Sequence, residues 1–523
     1  MLDPQDLLDA LVPLPLVLRR QPGVHRIDSD AAIGADGDAR TAAWLLHDLL
    51  AAAGIRVPVL AAGDPAATIV LAVQPMAGEA SPEGYRISIE AQGVRITGNT
   101  VEGLARAVQT FRQLLARSAP IAVACCHIED APRYAWRGVH LDVARHFMPK
   151  SFILKLIDLA ALHRLSVVHL HLTDDQGWRL PVPPHPRLTE IGAWRRETLI
   201  GHNGGREFDG TPHGGYYSRE DLREIVAHAA QRCITVVPEV DLPGHMQAAV
   251  AAYPGLGNTG RPVGVRTRWG ISEDVLAPTE EALTFVRDVC DVVADIFPGP
   301  WLHLGGDECP RTQWRDSPHA KERAARLGLG SVDELQSWFM REIHAHATSL
   351  GKRVVGWDEV VDDGGMPTDT LVMAWRSAQH GVDAMRAGHD VVMCPKQVTY
   401  LDYSQSDRPD EPLAVKRLIP LEDVAAWNPQ PPGTEDLTGR LIGVQGQLWT
   451  EYMPTPQAVE YMAFPRLSAL AEAGWTAQNR RDPADLIRRI GTHLHRLDAL
   501  DVNYRPLEGP RPWQRGGTGR RAR

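Results

Sequence analysis

The chain has 523 residues and a formal net charge of -10, and its length suggests two or three domains. Hydrophobic residues make up 44% and charged residues 23%, which is the balance of a soluble globular protein. This acidic balance, without a visibly basic stretch before the extreme C-terminus, argues against nucleic acid as a partner. No apolar run is long enough to span a bilayer and the N-terminus lacks the basic start of a signal peptide, so we expect a cytoplasmic protein with no membrane partner.

The first predicted unit, residues 1–132, mixes helices and strands. Helices are predicted over 39–54 and 101–117, a strand over 67–73 and a hairpin over 84–97. Strands and helices that do not alternate regularly are typical of a small α+β domain. This unit contains no obvious catalytic cluster, so we interpret it as an accessory domain.

The second predicted unit, residues 133–504, alternates short apolar strands with helices. The predicted strands are 138–141, 167–172, 235–238, 301–304, 353–356, 371–374, 390–393 and 441–445. The predicted helices are 150–164, 219–232, 280–297, 332–350, 377–387 and 458–473. Eight strands that alternate with helices predict an α/β fold, a (β/α)8 TIM barrel.

Two further segments depart from this alternation. Residues 180–217 are rich in Gly, Pro and His, which indicates an enlarged loop of the barrel. Residues 505–523 are rich in Pro, Gly and Arg, which predicts a disordered tail rather than a basic interaction arm.

Polar and aromatic residues collect at the C-terminal ends of the predicted strands, where TIM barrels carry their active sites. These ends read DVARHF, HLTDDQGW, PEVDLPGH, HLGGDE, GWDE, AWRS, YLDY and QLWTE. Within HLGGDE, Asp307 and Glu308 leave one strand in different directions and can serve one substrate from two sides. Glycoside cleavage needs an acid for the leaving oxygen and a group that stabilises positive charge at the anomeric carbon. The alternative for these two residues is a metal-binding or salt-bridged pair.

HLGGDE resembles the signature of glycoside hydrolase family 20, the β-N-acetylhexosaminidases. The similarity continues through WRGVHLDVARHF, HLHLTDDQGWR, PEVDLPGHMQAAV, GWDE, AWRS, YLDY and QLWTEY. The resemblance implies an exo-acting retaining enzyme that removes terminal non-reducing β-linked GlcNAc or GalNAc from small-molecule or oligosaccharide substrates. It also implies that no cofactor and no metal take part, and that the N-terminal unit is the small α+β domain that precedes the barrel in this family.

The resemblance implies substrate-assisted catalysis, in which the 2-acetamido oxygen attacks its own anomeric carbon and forms an oxazolinium intermediate. Glu308 is then expected to be the general acid and later the general base, while Asp307 orients the acetamido group. Tyr400 is expected to donate a hydrogen bond to the acetamido oxygen. His245 is expected to form a relay with Asp174 or Asp175, although it could instead be a capping residue in its loop. The sequence leaves open which of these aspartates faces the site.

The resemblance also implies sugar-binding residues. Arg145 is expected to bind the 3- and 4-hydroxyls and Glu451 the 4- and 6-hydroxyls, unless the two form a structural pair across the barrel mouth. Asp402 is expected to orient Tyr400 or to bind a hydroxyl.

Three tryptophans at strand ends, Trp357, Trp375 and Trp449, are expected to form a pocket for the acetamido methyl and a platform under the sugar ring, rather than core packing alone. Trp178 and Trp475 remain core or rim candidates. Four acidic residues are expected to support the barrel mouth: Glu239, Asp241, Asp358 and Glu359.

Three alternatives remain at this stage. A metal-dependent hydrolase would use histidines such as His169 and His171, which share one face of a strand, although packing inside the barrel is the preferred interpretation. A non-catalytic sugar-binding protein on the same fold is the second. The third is an enzyme of this family that removes a disaccharide or a modified sugar.

Overall fold

The computed structural model describes residues 3–76, 78, 81–115, 121–362 and 365–515. They form an N-terminal α+β domain followed by a closed barrel of eight parallel strands, which confirms the predicted fold class. None of the helices within these ranges is long and apolar enough to cross a membrane.

The N-terminal domain is a seven-stranded sheet against which α2 and α3 pack. Its strands are β1 (Val17–Ile27), β2 (Ile33–Ala35), β3 (Val59–Leu60), β4 (Ile69–Val73), β5 (Tyr85–Glu90), β6 (Gly93–Gly98) and β7 (Ile121–Asp130). Its helices are α1 (Pro4–Leu8), α2 (Ala39–Ala52) and α3 (Val101–Leu114). The predicted hairpin is β5 with β6, which pair in antiparallel register. The end of the second predicted helix, residues 116–117, lies outside the described residues.

All eight predicted barrel strands are present, and each pairs in parallel with its neighbours in chain order. They are β8 (Trp136–Asp142), β9 (Val167–His171), β10 (Thr235–Leu242), β11 (Trp301–Gly305), β12 (Arg353–Trp357), β13 (Leu371–Ala374), β14 (Val391–Met393) and β15 (Leu441–Gly446). The last strand pairs with the first and closes the barrel. Because the strands are parallel, their C-terminal ends meet at one rim.

Helices surround the barrel. They are α4 (Lys150–Leu162), α5 (Arg219–Ala230), α6 (Gln247–Ala252), α7 (Glu280–Ile296), α8 (Thr312–Asp316), α9 (Pro318–Arg326), α10 (Leu335–Ser349), α11 (Ala378–Arg386), α12 (Leu421–Ala426), α13 (Pro456–Ala463), α14 (Arg466–Trp475) and α15 (Pro483–Asp498). The enlarged loop at 180–217 carries a short ribbon in which Trp194–Arg195 pairs with His213–Gly214.

Two predictions about the C-terminal part need correction. The single helix expected over 458–473 is two helices, α13 and α14, because Pro465 lacks the N–H that a continuous helix needs and restricts Phe464 before it. The disorder expected from Arg505 does not extend over residues 505–515. Arg505 Nε bonds a carboxylate oxygen of Glu411 at 2.8 Å, and Gln514 Nε2 donates to a backbone carbonyl at 2.9 Å. Residues 516–523 lie outside the described residues.

Buried ion pairs join the two domains. Glu83 of the N-terminal domain accepts hydrogen bonds from Arg106 Nε at 2.7 Å and from Nη1 of Arg137, on the first barrel strand, at 3.0 Å. Burial opposes the charge of Glu83, but the two guanidinium groups outweigh it and lower its pKa to about 2. Asp130 binds Arg164 in the same interface, where Trp475 donates its indole N–H to Asp130 at 3.0 Å.

Candidate active site

Two glycines turn the chain at the end of β11. Gly305 and Gly306 have φ of 65° and 99°, a region that glycine adopts without a steric penalty. A Cβ on Gly305 would lie 1.7 Å from the Oδ1 atom of Asp241. Glu308 has a φ of 44°, an uncommon backbone conformation of the kind that clusters at functional sites. The turn places Asp307 and Glu308 at the barrel mouth.

The adjacent carboxyl groups have different surroundings. The Asp307 side chain is 12% exposed, whereas the Glu308 side chain is 37% exposed and lines an open cavity of about 680 Å3. Burial raises the pKa of Glu308 above its ordinary value, and the neighbouring Asp307 charge raises it further. Burial also raises the pKa of Asp307. The Oδ1 atom of Asp307 is buried and has no hydrogen-bond partner among the described residues.

His245 lies between the carboxyl groups of Asp307 and Glu308 on one side and Asp174 on the other. Its Nε2 atom is 3.7 Å from Glu308 Oε2 and 3.9 Å from Asp307 Oδ2. Its Nδ1 atom is 3.2 Å from Asp174 Oδ1. Burial disfavours a charged imidazole, but the surrounding carboxylates, Asp174 first, raise the pKa of His245 well above its ordinary value.

The structure distinguishes the two aspartates that the sequence could not. Asp174 contacts His245 and, through Oδ2, Nη2 of Arg145 at 2.7 Å. Asp175 accepts the backbone N–H of Gln247 at 3.0 Å, and its nearest oxygen is 3.7 Å from His245 Nδ1. Burial raises the pKa of Asp175 to about 6, while the cations around Asp174 outweigh burial and lower its pKa. Asp174 is therefore the aspartate that connects to the candidate site.

Arg145 is held by several contacts just after the first barrel strand. Its Nε atom donates to Gln176 Oε1 at 3.1 Å, and its guanidinium carbon lies 5.0 Å from the ring centroid of Trp449. Burial opposes its charge, but Asp174, Asp142 and Glu451 raise the pKa of Arg145 well above its ordinary value. Arg145 and Glu451, the two residues predicted to bind hydroxyls, therefore interact electrostatically. Burial raises the pKa of Glu451.

The predicted aromatic residues come together around one space. The Trp357 and Trp449 rings are 5.8 Å apart, Tyr400 is 6.4 Å from Trp449, and Trp375 stacks on Tyr400 at 6.0 Å with an interplanar angle of 24°. Burial raises the pKa of Tyr400 well above its ordinary value, so its hydroxyl remains a hydrogen-bond donor. These four rings form an apolar wall beside the acidic groups.

Asp402 lies near Tyr400 and is 6% exposed. Burial first, and the charge of Glu451 second, raise the pKa of Asp402 well above its ordinary value. Its Oδ1 atom has no hydrogen-bond partner within the described ranges.

The structure places all twelve sequence-predicted site residues at the same rim.

Sequence reasoning overlooked some residues that hold the site and underestimated others. Asp142 accepts the backbone N–H groups of Ala144, Arg145 and Thr450, which links β8 to the loop after β15. Glu359, expected only to support the mouth, accepts the Trp375 indole N–H at 2.8 Å. The available signal was the presence of acidic residues at the ends of barrel strands or within two residues after them. Their partners, distant in sequence, gave no such signal.

The two undecided tryptophans belong to the core. Trp178 is 1% exposed and donates its indole N–H to a backbone carbonyl next to the enlarged loop. Trp475 is fully buried between the domains, with the Arg164 guanidinium 4.6 Å from its ring centroid. Neither contributes a surface to the open cavity described above.

Several buried groups have the residue types of a metal site. One contains His171, Asp174 and Asp241, and another contains His169, Glu239 and His303, with ligand atoms within 4.8 Å of one another. The two ring nitrogens of His171, however, lie 2.6 and 2.7 Å from carboxylate oxygens of Glu239 and Asp174. These are hydrogen-bond distances, and both nitrogens are engaged. The arrangement is that of a buried polar network.

Family models match nearly the whole described chain. A model described as "Glycosyl hydrolase family 20, catalytic domain" matches residues 134–478, and one described as "Glycosyl hydrolase family 20, domain 2" matches residues 9–131. The chain is 36% identical to a β-hexosaminidase of Porphyromonas gingivalis over 97% of its own length, and spans 65% of that relative. It is 34% identical to a β-hexosaminidase of Vibrio furnissii, with 89% of this chain and 76% of the relative covered.

Solved structures show the same architecture. An exo-β-N-acetylglucosaminidase of Vibrio harveyi in complex with N-acetylglucosamine superimposes with a TM-score of 0.85 at 32% identity, covering 95% of this chain and 78% of the other. A mutant Streptomyces plicatus β-hexosaminidase in complex with its product GlcNAc superimposes with a TM-score of 0.81 at 31% identity, covering 96% and 98%.

Proposed function

Because the chain belongs to glycosyl hydrolase family 20, we propose that it is an exo-acting, retaining β-N-acetylhexosaminidase that removes terminal GlcNAc or GalNAc by substrate-assisted catalysis. Relatives of this sequence carry the name β-hexosaminidase, and two similar structures both hold N-acetylglucosamine (GlcNAc). The resemblance of the strand-end motifs supports the same activity.

One observation carries the proposal. Asp307 presents a buried carboxylate oxygen without a partner among the described residues, while its neighbour Glu308 lines the open cavity. A buried polar atom without a partner is costly, so such an atom next to residues that line a cavity is suited to a ligand donor. The acetamido N–H of an N-acetylhexosamine is such a donor, and the nearby indole and phenol rings suit its methyl group.

The reaction follows from these positions. Glu308 donates its proton to the glycosidic oxygen as the bond from C1 to that oxygen breaks. The acetamido oxygen forms a new bond to C1, and Asp307 accepts the N–H whose positive charge grows in the oxazolinium ion. Water then attacks C1 on the face left by the aglycone and gives its proton to Glu308, while the bond from C1 to the acetamido oxygen breaks and the acetamido group is restored. Two displacements restore the original anomeric configuration.

The surrounding residues hold the sugar. Tyr400 donates to the acetamido oxygen and aims it at C1, and Asp402 beside it orients that contact. Arg145 offers the guanidinium hydrogens not used by its protein partners to the sugar hydroxyls, and Glu451 accepts from hydroxyls on the same side. His245 carries positive charge next to Glu308 and Asp307, and limits how far their pKa values rise.

The direct test compares hydrolysis of an aryl β-N-acetylglucosaminide with hydrolysis of the matching aryl β-glucoside. We expect turnover of the first and at most trace turnover of the second, because only the first carries the internal nucleophile. Equal cleavage of both would indicate an enzymic nucleophile and contradict the mechanism. Tight binding of N-acetylglucosamine with no turnover of either substrate would support the sugar-binding alternative instead.

A further inference from the structure

A layer of polar residues crosses the barrel interior beneath the proposed catalytic pair. Strand register places Asp142, His171, Glu239 and His303 beside one another on β8, β9, β10 and β11. All four are fully buried. The interior layers of TIM barrels are usually filled by Val, Ile and Leu, so a charged layer here calls for a physical explanation.

Glu239 lies at the centre of this layer. Its Oε2 atom is 2.6 Å from His171 Nδ1, and its Oε1 atom accepts the Trp357 indole N–H at 2.8 Å. His169 Nε2 and His303 Nδ1 each lie 3.1 Å from it, and His140 Nε2 lies 3.9 Å away. Burial opposes its charge, but these imidazoles, His171 first, hold the pKa of Glu239 well below its usual range.

His171 bridges two carboxylates. Its second nitrogen, Nε2, is 2.7 Å from Asp174 Oδ2. The pKa values of Glu239 and Asp174 are both lowered, so both carboxyl groups are ionised and can only accept. An imidazole can donate from both nitrogens only when it is protonated, so this arrangement indicates an imidazolium. Burial alone would lower the pKa of His171, but Glu239 and Asp174 raise it well above its ordinary value. Asp241 has an oxygen within 4.8 Å of a His171 nitrogen, and the His140 ring lies 5.8 Å from the His171 ring.

Asp174 transmits this contact to the site. It binds Arg145 Nη2 at 2.7 Å and faces His245 Nδ1 at 3.2 Å. Positive and negative groups therefore alternate from Glu239 through His171, Asp174 and His245 toward the proposed catalytic pair. A change of charge at Glu239 or His171 therefore alters the position and charge of Asp174, which holds Arg145 and His245 at the site.

We propose that the buried ion pair of Glu239 and His171 positions the site, since it fixes Asp174 and, through it, Arg145 and His245. The positioning role rests on the proposed hydrolysis, but the ion pair itself can be measured without any assay of hydrolysis. Glu239 and His171 do not touch the substrate in this account and are positioning residues.

The variant Glu239→Gln tests the pair with little change of volume. Its amide oxygen can still accept from Trp357, but one of the two negative charges that keep His171 protonated is gone, and only Asp174 remains. The pKa of His171 then falls, by about one unit or more, and one of its two donated bonds is lost as pH rises through the new value. We expect the alkaline limb of the kcat/KM profile to move below the pH at which loss of the Glu308 proton places it in the wild-type enzyme, while activity recovers at acidic pH.

The matched control is His169→Gln. His169 lies two residues before His171 on β9. Burial lowers the pKa of His169 to about 4, so this variant removes a neutral ring and no charge at assay pH. It also makes no contact with Asp174 within the described chain. We expect it to lower thermal stability without moving the alkaline limb. An unshifted limb in folded Glu239→Gln, or an equal shift in both variants, would overturn the proposal.

A second measurement does not depend on any variant folding. In wild-type protein labelled with 15N-histidine, an exposed imidazole with a pKa of about 6.5 is neutral at pH 9. We expect imidazolium signals from His171 and His245 to persist there. If the His171 signal does not persist, the ion pair is absent and the inference fails, whatever His245 or the activity shows. If they persist but the enzyme cleaves no β-N-acetylhexosaminide, the proposed function fails and the ion pair stands.

Discussion

At the scale of single residues, the proposed chemistry depends on two adjacent carboxyl groups that behave differently. Glu308 must deliver a proton, and Asp307 must accept a hydrogen bond from the substrate. Burial and the Asp307 charge both favour the protonated form of Glu308. The greater exposure of its side chain gives Glu308 access to the leaving group, whereas the Asp307 side chain is more deeply buried.

Replacing Glu308 by Gln removes the proton donor but keeps the size of the side chain. We expect kcat for substrates with poor leaving groups to fall by about 100-fold to 10,000-fold. Aryl substrates with acidic leaving groups should lose less, because they need less protonation. A dissociation constant for GlcNAc close to the wild-type value would show that binding survives. Equal losses for both classes of leaving group would remove Glu308 from the acid role.

Replacing Asp307 by Asn has a chemical and an electrostatic consequence. The developing positive charge on the acetamido nitrogen loses its anionic partner, so we expect kcat to fall by about 100-fold to 1,000-fold. The Asp307 charge also raises the pKa of Glu308, and its removal lowers that pKa. Because Glu308 acts in its protonated form, the alkaline limb of residual activity should move to lower pH. Wild-type kcat, or a limb displaced upward, would contradict this assignment.

At the scale of secondary-structure elements, the barrel was predictable and much of the first domain was not. The eight parallel strands are buried apolar runs that end in polar residues, which makes them visible in the sequence. By contrast, β1 is largely exposed and its pairing with β7 is interrupted between Arg20 and Val24, so it has no clear alternation. The interruption of the helix pair α13 and α14 at Pro465 was visible in principle.

Site residues were predictable as a set, because motifs at strand ends share one rim. The choice between Asp174 and Asp175 was not, since it depends on which side chain reaches His245 and Arg145. The pair of Glu239 and His171 joins residues on neighbouring strands that are 68 positions apart in the chain. Sequence spacing alone carries no signal for such a contact.

The contact between the domains leads to a stability prediction. Glu83→Gln leaves Arg106 and Arg137 buried without a counter-charge, so we expect a loss of about 3 kcal/mol in the free energy of unfolding. The pKa of Glu83 is lowered from 4.5 to about 2, so this stabilisation is present above pH 4.5 and is lost as pH falls toward 2. Urea unfolding at neutral and acidic pH measures both effects.

An exposed ion pair provides the control for that experiment. Arg315 binds Asp333 on the surface, with 59% and 30% of the side chains exposed. We expect Asp333→Asn to cost less than about 1 kcal/mol. A Glu83→Gln effect no larger than this control, or one that does not shrink at acidic pH, would contradict a stabilising role for the domain contact.

At the scale of the whole molecule, the N-terminal domain covers charged and aromatic groups of the barrel. Arg137, Arg164 and Trp475 are fully buried, and each contacts residues of that domain. A chain beginning at residue 133 would expose them, so we expect it to aggregate or to melt at a clearly lower temperature. Size-exclusion chromatography and thermal unfolding test this, and a monodisperse barrel with the full-length melting temperature would contradict it.

The central claim is that the substrate supplies the nucleophile, and one kinetic series tests it most directly. The substrates are aryl β-N-acylglucosaminides whose acyl methyl carries zero, one, two or three fluorines, with the leaving group unchanged. Each fluorine withdraws electrons from the carbonyl oxygen and weakens its attack on C1. We predict that kcat/KM falls steeply and continuously along the series. A value that stays constant would mean that the acetamido oxygen does not attack, and would contradict the account.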